Sequence, residues 1–254
     1  MILFIRKVKI YMNELPHIKV IDNDYFDVFA NKPYSEKFLN RLCDKFLSQR
    51  KKILDFFDLS NYSKVRINLF DDIDKLNAFS SKYIDISPYH RGDCCGDMIN
   101  YFCDDESLKD EAKTGYIIAS IAHEFVHMVY HDTICGVSCV WLEEGLTTYL
   151  SEQKGFIERS LERYKEFLER LLYEKEVPKL EFLHKRGGKY GEFVDTETNK
   201  YDGYNFSYAL VRFLCEAKGK EYVNQMINSN ILLENEEKIL MKEFHKYAVN
   251  ILKS

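Results

Sequence analysis

The first strong hydrophobic pattern in the chain is a helical stripe over residues 35–57. Apolar residues recur there every three or four positions, which predicts an amphipathic helix. The stripe consists of Phe38, Leu39, Leu42, Phe46, Leu47, Ile53 and Phe56. After the turn-forming stretch DLSNYS, the segment KVRINLF alternates apolar and polar residues. This alternation predicts a strand that is buried on one face.

The middle of the chain predicts a second strand and then a helix that is apolar almost all round. Residues 71–95 are rich in turn formers and predict irregular structure, whereas Gly96–Cys103 predicts a strand. The next helix is expected to begin near Ser107, because a capping residue and early acidic residues lie there. It carries IIASIAHEFVHMVYHD, and a short break separates it from a third helix, VWLEEGLTTYLSEQ.

The remaining residues predict helices on either side of a long loop. FIERSLERYKEFLERLLYEK is helical with alternating blocks of charge, which favours a solvated face. Residues 177–203 contain proline and several glycines with little periodicity, and they predict a long surface loop. YNFSYALVRFLCEAKG then predicts a helix that ends at Gly219, and two further helices complete the chain.

These elements together predict an α+β fold. A small N-terminal mixed or antiparallel sheet would pack on the HEFVH helix, and a mainly helical C-terminal half would follow. We see no repeat and no low-complexity linker, so a single domain over residues 1–254 is the simplest expectation. Sub-lobes at 1–132 (α/β) and 133–254 (helical), with an active-site cleft between them, are a further option.

Composition narrows the classes of partner. The 36 basic and 41 acidic residues give a net charge of −5 and are spread along the chain. No concentrated positive field exists to bind a phosphate backbone, so nucleic acid is not an expected partner. We also expect no membrane span, because no stretch approaches 18 apolar residues. Seven cysteines and no signal-peptide core favour a reducing, cytoplasmic environment over a disulfide framework.

The strongest chemical signal is the HEFVH sequence. His123 and His127 are four residues apart, so on a helix they share one face with about 6 Å of axial rise between them. Glu124 lies about 100° around the helix from His123, near enough to hold a water without becoming a ligand. This is the HExxH pattern, in which two histidines bind zinc and the glutamate is a general base.

His131 extends the spacing of four but is not expected to join the same ion. It lies about 12 Å along the axis from His123, whereas zinc–nitrogen bonds are about 2.0–2.1 Å long. We therefore expect it beside the site or at the surface. The longer metzincin pattern is excluded, because Tyr130 and Thr133 occupy its glycine and third histidine positions.

A third ligand is suggested downstream by WLEEG, where 16 residues separate His127 from Glu144. With HExxH, this sequence closely resembles the gluzincin metallopeptidases of the peptidase MA-like superfamily, whose second metal-binding helix carries W-L-x-E-G. The resemblance spans roughly residues 17–230 and implies a zincin-like fold with Zn²⁺ held by His123, His127 and Glu144. Glu143 occupies the variable position of the motif.

The same resemblance suggests an oxyanion donor in the helix that follows the long loop. Tyr204 is the candidate for a tyrosine whose hydroxyl would bond the oxyanion of a tetrahedral intermediate. Tyr201 and Tyr208 are nearby competitors for this role. Packing within the helix is the ordinary alternative for each of these side chains.

GDMIN is similar to the G-x-M-E-N sequence of aminopeptidase-N-like gluzincins, whose glutamate binds the free α-amine of the substrate. Ile99 stands at that glutamate position, and an aliphatic side chain does not pair with an ammonium group. This departure puts aminopeptidase action in doubt. The strand is still expected to run beside a peptide and bond its backbone, or else to be an ordinary edge strand.

The residues favour a zinc-dependent peptidase that acts on a peptide or protein, with an endopeptidase preferred over an aminopeptidase. Zinc would activate water, Glu124 would move the proton, and Tyr204 would steady the oxyanion. The alternative is a catalytically inactive zinc-binding domain that serves as a binding or structural module. A third interpretation, metal storage or sensing, is weaker because the cysteines show no CxxC spacing. The oligomeric state is left open.

Overall fold

Two compact units divide the chain, Met1–Val129 and Tyr130–Ser254. The computed structural model describes residues 15–86, 90–134, 139–153, 161–174, 203–229 and 234–254. The first unit contains a five-stranded mixed sheet, and the described residues of the second form helices. The predicted α+β class with a mainly helical C-terminal half is confirmed. The single domain over residues 1–254 and the further option of two sub-lobes with a cleft between them remain predictions. The loop predicted for residues 177–203 lies, apart from Gly203, outside the described residues.

The described part of the first unit contains both strands and helices. Its elements are β1 (Ile18–Asp22), β2 (Phe26–Ala30), α1 (Glu36–Phe56), β3 (Val65–Phe70), α2 (Ile73–Ser80), β4 (Gly92–Cys95), β5 (Met98–Phe102), α3 (Asp105–Leu108) and α4 (Glu111–Thr133). The last residues of α4, from Tyr130 onward, belong to the second unit. The helix therefore carries the HEFVH residues in the first unit and His131 in the second.

The described part of the second unit is helical. Its elements are α5 (Val140–Leu150), α6 (Leu161–Glu169), α7 (Gly203–Phe213), α8 (Lys220–Ser229) and α9 (Glu234–Lys253). A π-helical turn continues α6 to Glu174, and another continues α7 to Lys218 before Gly219. Gly219 has a positive φ of 88°, which glycine adopts at little cost, and the predicted end of this helix is confirmed. No helix among the described residues has the length and apolarity to cross a membrane.

The sheet has the order β1-β2-β3-β5-β4, with parallel inner pairs and antiparallel outer pairs. The expectation of irregular structure over 71–95 is wrong, because this stretch contains α2 and β4. Asp72 caps α2 by accepting a hydrogen bond from the backbone N–H of Asp74 at 2.9 Å. The short strand β4 is defined by its pairing with β5, and a contact of that kind leaves no periodic signal in four residues.

Strand β5 is the GDMIN strand, and it is hydrogen-bonded to β3 on one side and β4 on the other. Both of its edges are occupied, so the predictions that it bonds a peptide backbone or forms an edge strand are wrong. The edge position next to it belongs to β4. Ile99 is fully buried, at 0% exposure, and does not line an accessible surface.

The helix starts show how capping decides a boundary. Ser35 accepts a hydrogen bond from the N–H of Phe38 at 3.3 Å and caps α1, as its sequence predicts. Helix α4 begins later than the expected Ser107, because Asp104 caps the separate one-turn helix α3. Asp110 then accepts hydrogen bonds from the backbone N–H groups of the first turn of α4.

Aromatic contacts connect α4 to the rest of the first unit. The ring of Phe125 packs against Phe46 of α1 at a centroid distance of 5.5 Å, and Phe46 packs against Phe26 of β2 at 4.9 Å. Tyr62 contacts the same Phe125 ring edge-on at 5.3 Å. Because rings of this size bury large apolar areas, these contacts anchor the helix beside β2.

Strand β3 is buried on both faces, so the one-sided burial predicted for it is wrong at Asn68. The side chain of Asn68 is fully buried and donates to Asn100 of β5 at 2.9 Å. Asn100 in turn donates to the carboxylate of Asp93 at 2.9 Å, and Ser80 donates to the other oxygen of that carboxylate at 2.5 Å. These hydrogen bonds offset the free-energy cost of burying the polar side chains. The alternation of apolar and polar residues in the sequence does not reveal such a network.

The glycine of WLEEG allows α5 and α7 to approach each other closely. A Cβ added to Gly145 would lie 2.5 Å from the carbonyl oxygen of Ser207 and 2.5 Å from a methyl group of Val211. One of these neighbours is backbone and has no alternative rotamer. The motif glycine is therefore a packing requirement within the second unit.

We expect Gly145→Ala to destabilise the protein. Alanine gains about 1 kcal/mol in helix propensity, but an overpacked contact with backbone costs typically about 1–3 kcal/mol and sometimes more. The net loss would be measured as a lower midpoint of denaturant unfolding.

Gly115→Ala is the matched control in helix α4. Apart from its own helix, the described residue nearest to its added Cβ is Arg41, whose flexible side chain ends 3.2 Å away. This substitution is expected to leave stability unchanged or slightly raised. If both alanine variants behaved alike, the close approach at Gly145 would carry no energetic weight.

Candidate metal centre

The two histidines of HEFVH converge at one point. Their Nε2 atoms lie 3.2 Å apart, and the rings are inclined at 72° with centroids 4.9 Å apart. Two nitrogens bonded to one tetrahedral zinc at 2.0–2.1 Å would themselves lie about 3.3 Å apart. The helical spacing of four thus produces a nitrogen pair that matches a shared ion. Without an ion, the same distance fits one N–H donating to the other nitrogen.

Glu144 completes a group that can hold a metal ion. Ligand atoms of His123, His127 and Glu144 all lie within 4.8 Å of one another. His127 is 6% exposed and Glu144 only 2%, and burying a carboxylate is costly unless a partner compensates its charge. Two imidazoles and one carboxylate form a standard ligand set for a catalytic zinc site, so these side chains fit the predicted ion.

A second group, formed by His127, His131 and Glu143, meets the same distance criterion. His131 is half exposed, and its Nε2 lies 2.9 Å from an oxygen of the buried Glu143. The sequence does not predict this pair, since nothing in the spacing joins a residue near the end of one helix to the start of another. The two groups share His127, so they compete for one ion if they use the same nitrogen.

Glu124 lies on α4 beside the histidines and is partly exposed. Its charge acts on the phenol of Tyr101 in β5, and the hydroxyl of Ser120 bonds the same phenol. Burial raises the pKa of the Tyr101 phenol well above its usual range, and Glu124 adds to this rise. Tyr101 was not predicted as a site residue. Its only sequence signal is its position two residues beyond Ile99, on the same face of the strand.

Tyr204 is the second residue of α7 and is half-buried. Of its competitors, Tyr201 lies outside the described residues. Tyr208 is 3% exposed, and its ring packs against Tyr149 and Tyr164 at centroid distances of 6.4 Å. Tyr208 thus serves in packing, and the role of Tyr204 at an oxyanion stays a prediction.

No protein-family model and no curated protein sequence matches this chain. Among solved structures, it is similar to the crystal structure of an aminopeptidase N family protein from Idiomarina loihiensis. The TM-score is 0.47 with 10% identical residues, and the match covers 93% of this chain and 41% of the other. The chain therefore spans less than half the length of that protein.

Substitution of the two adjacent glutamates will identify the group that takes the ion. We expect Glu144→Gln to weaken zinc binding by more than about 100-fold, beyond the 10–100-fold that outer residues contribute. Glu143→Gln should weaken it by less than about tenfold, because that carboxylate pairs with His131. Competition with a chromogenic chelator measures both affinities. A larger loss in Glu143→Gln would assign the ion to His127, His131 and Glu143 instead.

Proposed function

We propose that this protein is a zinc-dependent peptidase of the gluzincin type, acting on a peptide or protein substrate. The observation that carries the proposal is the group of His123, His127 and Glu144, with ligand atoms within 4.8 Å of one another beside Glu124. A chance pair of histidines on an apolar helix would not require a buried carboxylate at the same place. Glu124 supplies the proton-transfer group that a purely structural zinc site does not need.

The residues divide the chemistry among them. His123, His127 and Glu144 would hold Zn²⁺, which when bound supplies a Lewis acid that polarises a carbonyl and lowers the pKa of water. Glu124 accepts a proton from the attacking water while the oxygen of that water forms a bond to the scissile carbonyl carbon. It then delivers that proton to the nitrogen of the leaving amine, and the C–N bond breaks. Tyr204 donates a hydrogen bond to the oxyanion in this proposal.

An internal cleavage preference is the finer part of the proposal. Ile99 occupies the place of the amine-binding glutamate and is fully buried, so it offers a substrate ammonium neither charge nor access. In the described sheet, β4 lies at the edge beside β5. An extended substrate that added to β4 would use backbone hydrogen bonds and would need no free terminus.

Two other functions are less well supported. Metal storage through cysteine is disfavoured because the cysteines show no CxxC spacing in the sequence. A zinc-binding module without activity remains the second candidate, because its ligand group would be the same.

Replacing Glu124 by glutamine should abolish turnover while leaving zinc bound. A general base contributes about 10²–10⁴-fold to rate, and the amide keeps the size of the side chain without accepting a proton. Peptide cleavage by the zinc-loaded protein and its metal content would be measured together. Glu162→Gln, on the exposed surface of α6, is the control and should retain full activity.

Retention of peptide cleavage by Glu124→Gln would contradict the mechanism. A zinc-loaded parent that cleaves none of a broad peptide library would instead favour the inactive module.

We expect N-acetylated peptides to be cleaved at internal bonds at about the same rate as their free-amine counterparts. The reason is that no carboxylate at position 99 binds the α-amine. Mass spectrometry of the products distinguishes one internal cut from stepwise removal of N-terminal residues. Stepwise removal confined to free-amine peptides would show that the protein is an aminopeptidase.

A further inference from the structure

Helix α4 carries two overlapping pairs of histidines. His123 and His127 form one pair, and His127 and His131 form a second pair one helical turn further along. The first pair belongs to the group with Glu144, which we call the inner group, and the second to the group with Glu143, which we call the outer group. Each group offers two imidazoles and one carboxylate, and His127 belongs to both.

The outer group has the donors and the spacing that a zinc site requires. Its ligand atoms all lie within 4.8 Å of one another, and Nε2 of His131 lies 2.9 Å from a carboxylate oxygen of Glu143. Two ligand atoms of one tetrahedral zinc lie about 3.3 Å apart, so a small rotation of the half-exposed imidazole admits an ion. Imidazole and carboxylate both bind divalent transition metals such as zinc.

The two groups differ in how far their ligands reach into solvent. The side chain of His131 is 51% exposed. In the inner group His123 is half-buried, and the carboxylate ligand, Glu144, is only 2% exposed. A hydrated ion that arrives from solvent therefore meets His131 before it meets the inner carboxylate. The Glu143 carboxylate, which contacts this imidazole, supplies a negative charge that attracts the ion.

We propose that the outer group is a second metal position, which receives zinc from solvent and passes it to the inner group. His127 remains a ligand during this transfer, and an imidazole replaces an imidazole and a carboxylate replaces a carboxylate, so the charge around the ion does not change. The outer group lies one turn further along α4 from Glu124, and it therefore binds metal without taking part in hydrolysis. The inference rests on the proposed function only in taking the inner group as the catalytic zinc site.

The Glu144→Gln variant makes the outer position measurable at equilibrium, because it removes the carboxylate of the inner group. We expect this variant to keep a weak zinc site. Adding His131→Ala to the same chain should lower the remaining affinity by more than about tenfold, the least that loss of a supporting residue costs. Zinc titration against a chromogenic chelator measures both constants without an assay of activity. An unchanged remaining affinity would overturn the outer position and leave His131 and Glu143 as a simple side-chain pair.

His245→Ala in the Glu144→Gln chain is the matched control. His245 is an exposed histidine of α9 and belongs to neither group. Its removal takes away one surface imidazole, and the remaining zinc affinity should not change. Equal losses in the His131 and His245 variants would show that surface histidines bind the ion without a defined site, which contradicts the proposal.

The entry role predicts altered rates at constant affinity. In the chain that keeps Glu144, His131→Ala should slow zinc uptake by the metal-free protein about tenfold, which corresponds to a barrier higher by about 1.4 kcal/mol. Release of zinc to a chelator should slow by the same factor, because the equilibrium affinity is the ratio of the two rates. Stopped-flow fluorescence of a zinc indicator measures both rates. Rates equal to those of the parent, or slower uptake with a weaker final affinity, would overturn the entry role.

These measurements do not depend on peptide cleavage. If the zinc-loaded parent cleaved no peptide while the titrations and rates followed these expectations, the proposed function would fail and the outer position would stand. If the parent cleaved peptides but neither measurement responded to His131→Ala, the inference would fail and the proposed function would stand.

Discussion

The 3.2 Å approach of the Nε2 atoms of His123 and His127 is the constraint on which the candidate site depends. An α-helix places residues four apart on one face, and both imidazoles lie on that face of α4. Nitrogens this close share either a proton or an ion. With a buried carboxylate from Glu144 within 4.8 Å of both, an ion satisfies all three groups at once.

The adjacent glutamates of α5 illustrate how neighbouring residues acquire different partners. Consecutive helical residues point about 100° apart, so Glu143 faces His131 while Glu144 belongs to the group with His123 and His127. Both carboxylates are buried, and each is matched to imidazole. The next residue must be glycine for a different reason, since α7 passes directly over Gly145. Three successive positions of one motif thus serve three separate physical requirements.

Tyr101 and Asn68 show why the environment of strand residues is harder to predict from sequence than that of helix residues. Their burial depends on partners distant in sequence: Gly92 and the α4 face for Tyr101, and Asn100 for Asn68. Helix α1 could be predicted because its stripe and its cap lie within one segment. Strand β4 could not, because four residues carry no period and its existence depends on pairing with β5.

The sequence by itself determined the α+β class, helix α1 and the face shared by His123 and His127. Each of these follows from local geometry, namely 3.6 residues per turn and 1.5 Å of rise. The tertiary structure alone decided that β5 is an interior strand, that Ile99 is buried, that His131 pairs with Glu143, and that Tyr101 meets the Glu124 face of α4. These are contacts between segments far apart in the chain, and local periodicity contains no information about which distant partner will satisfy a buried polar group.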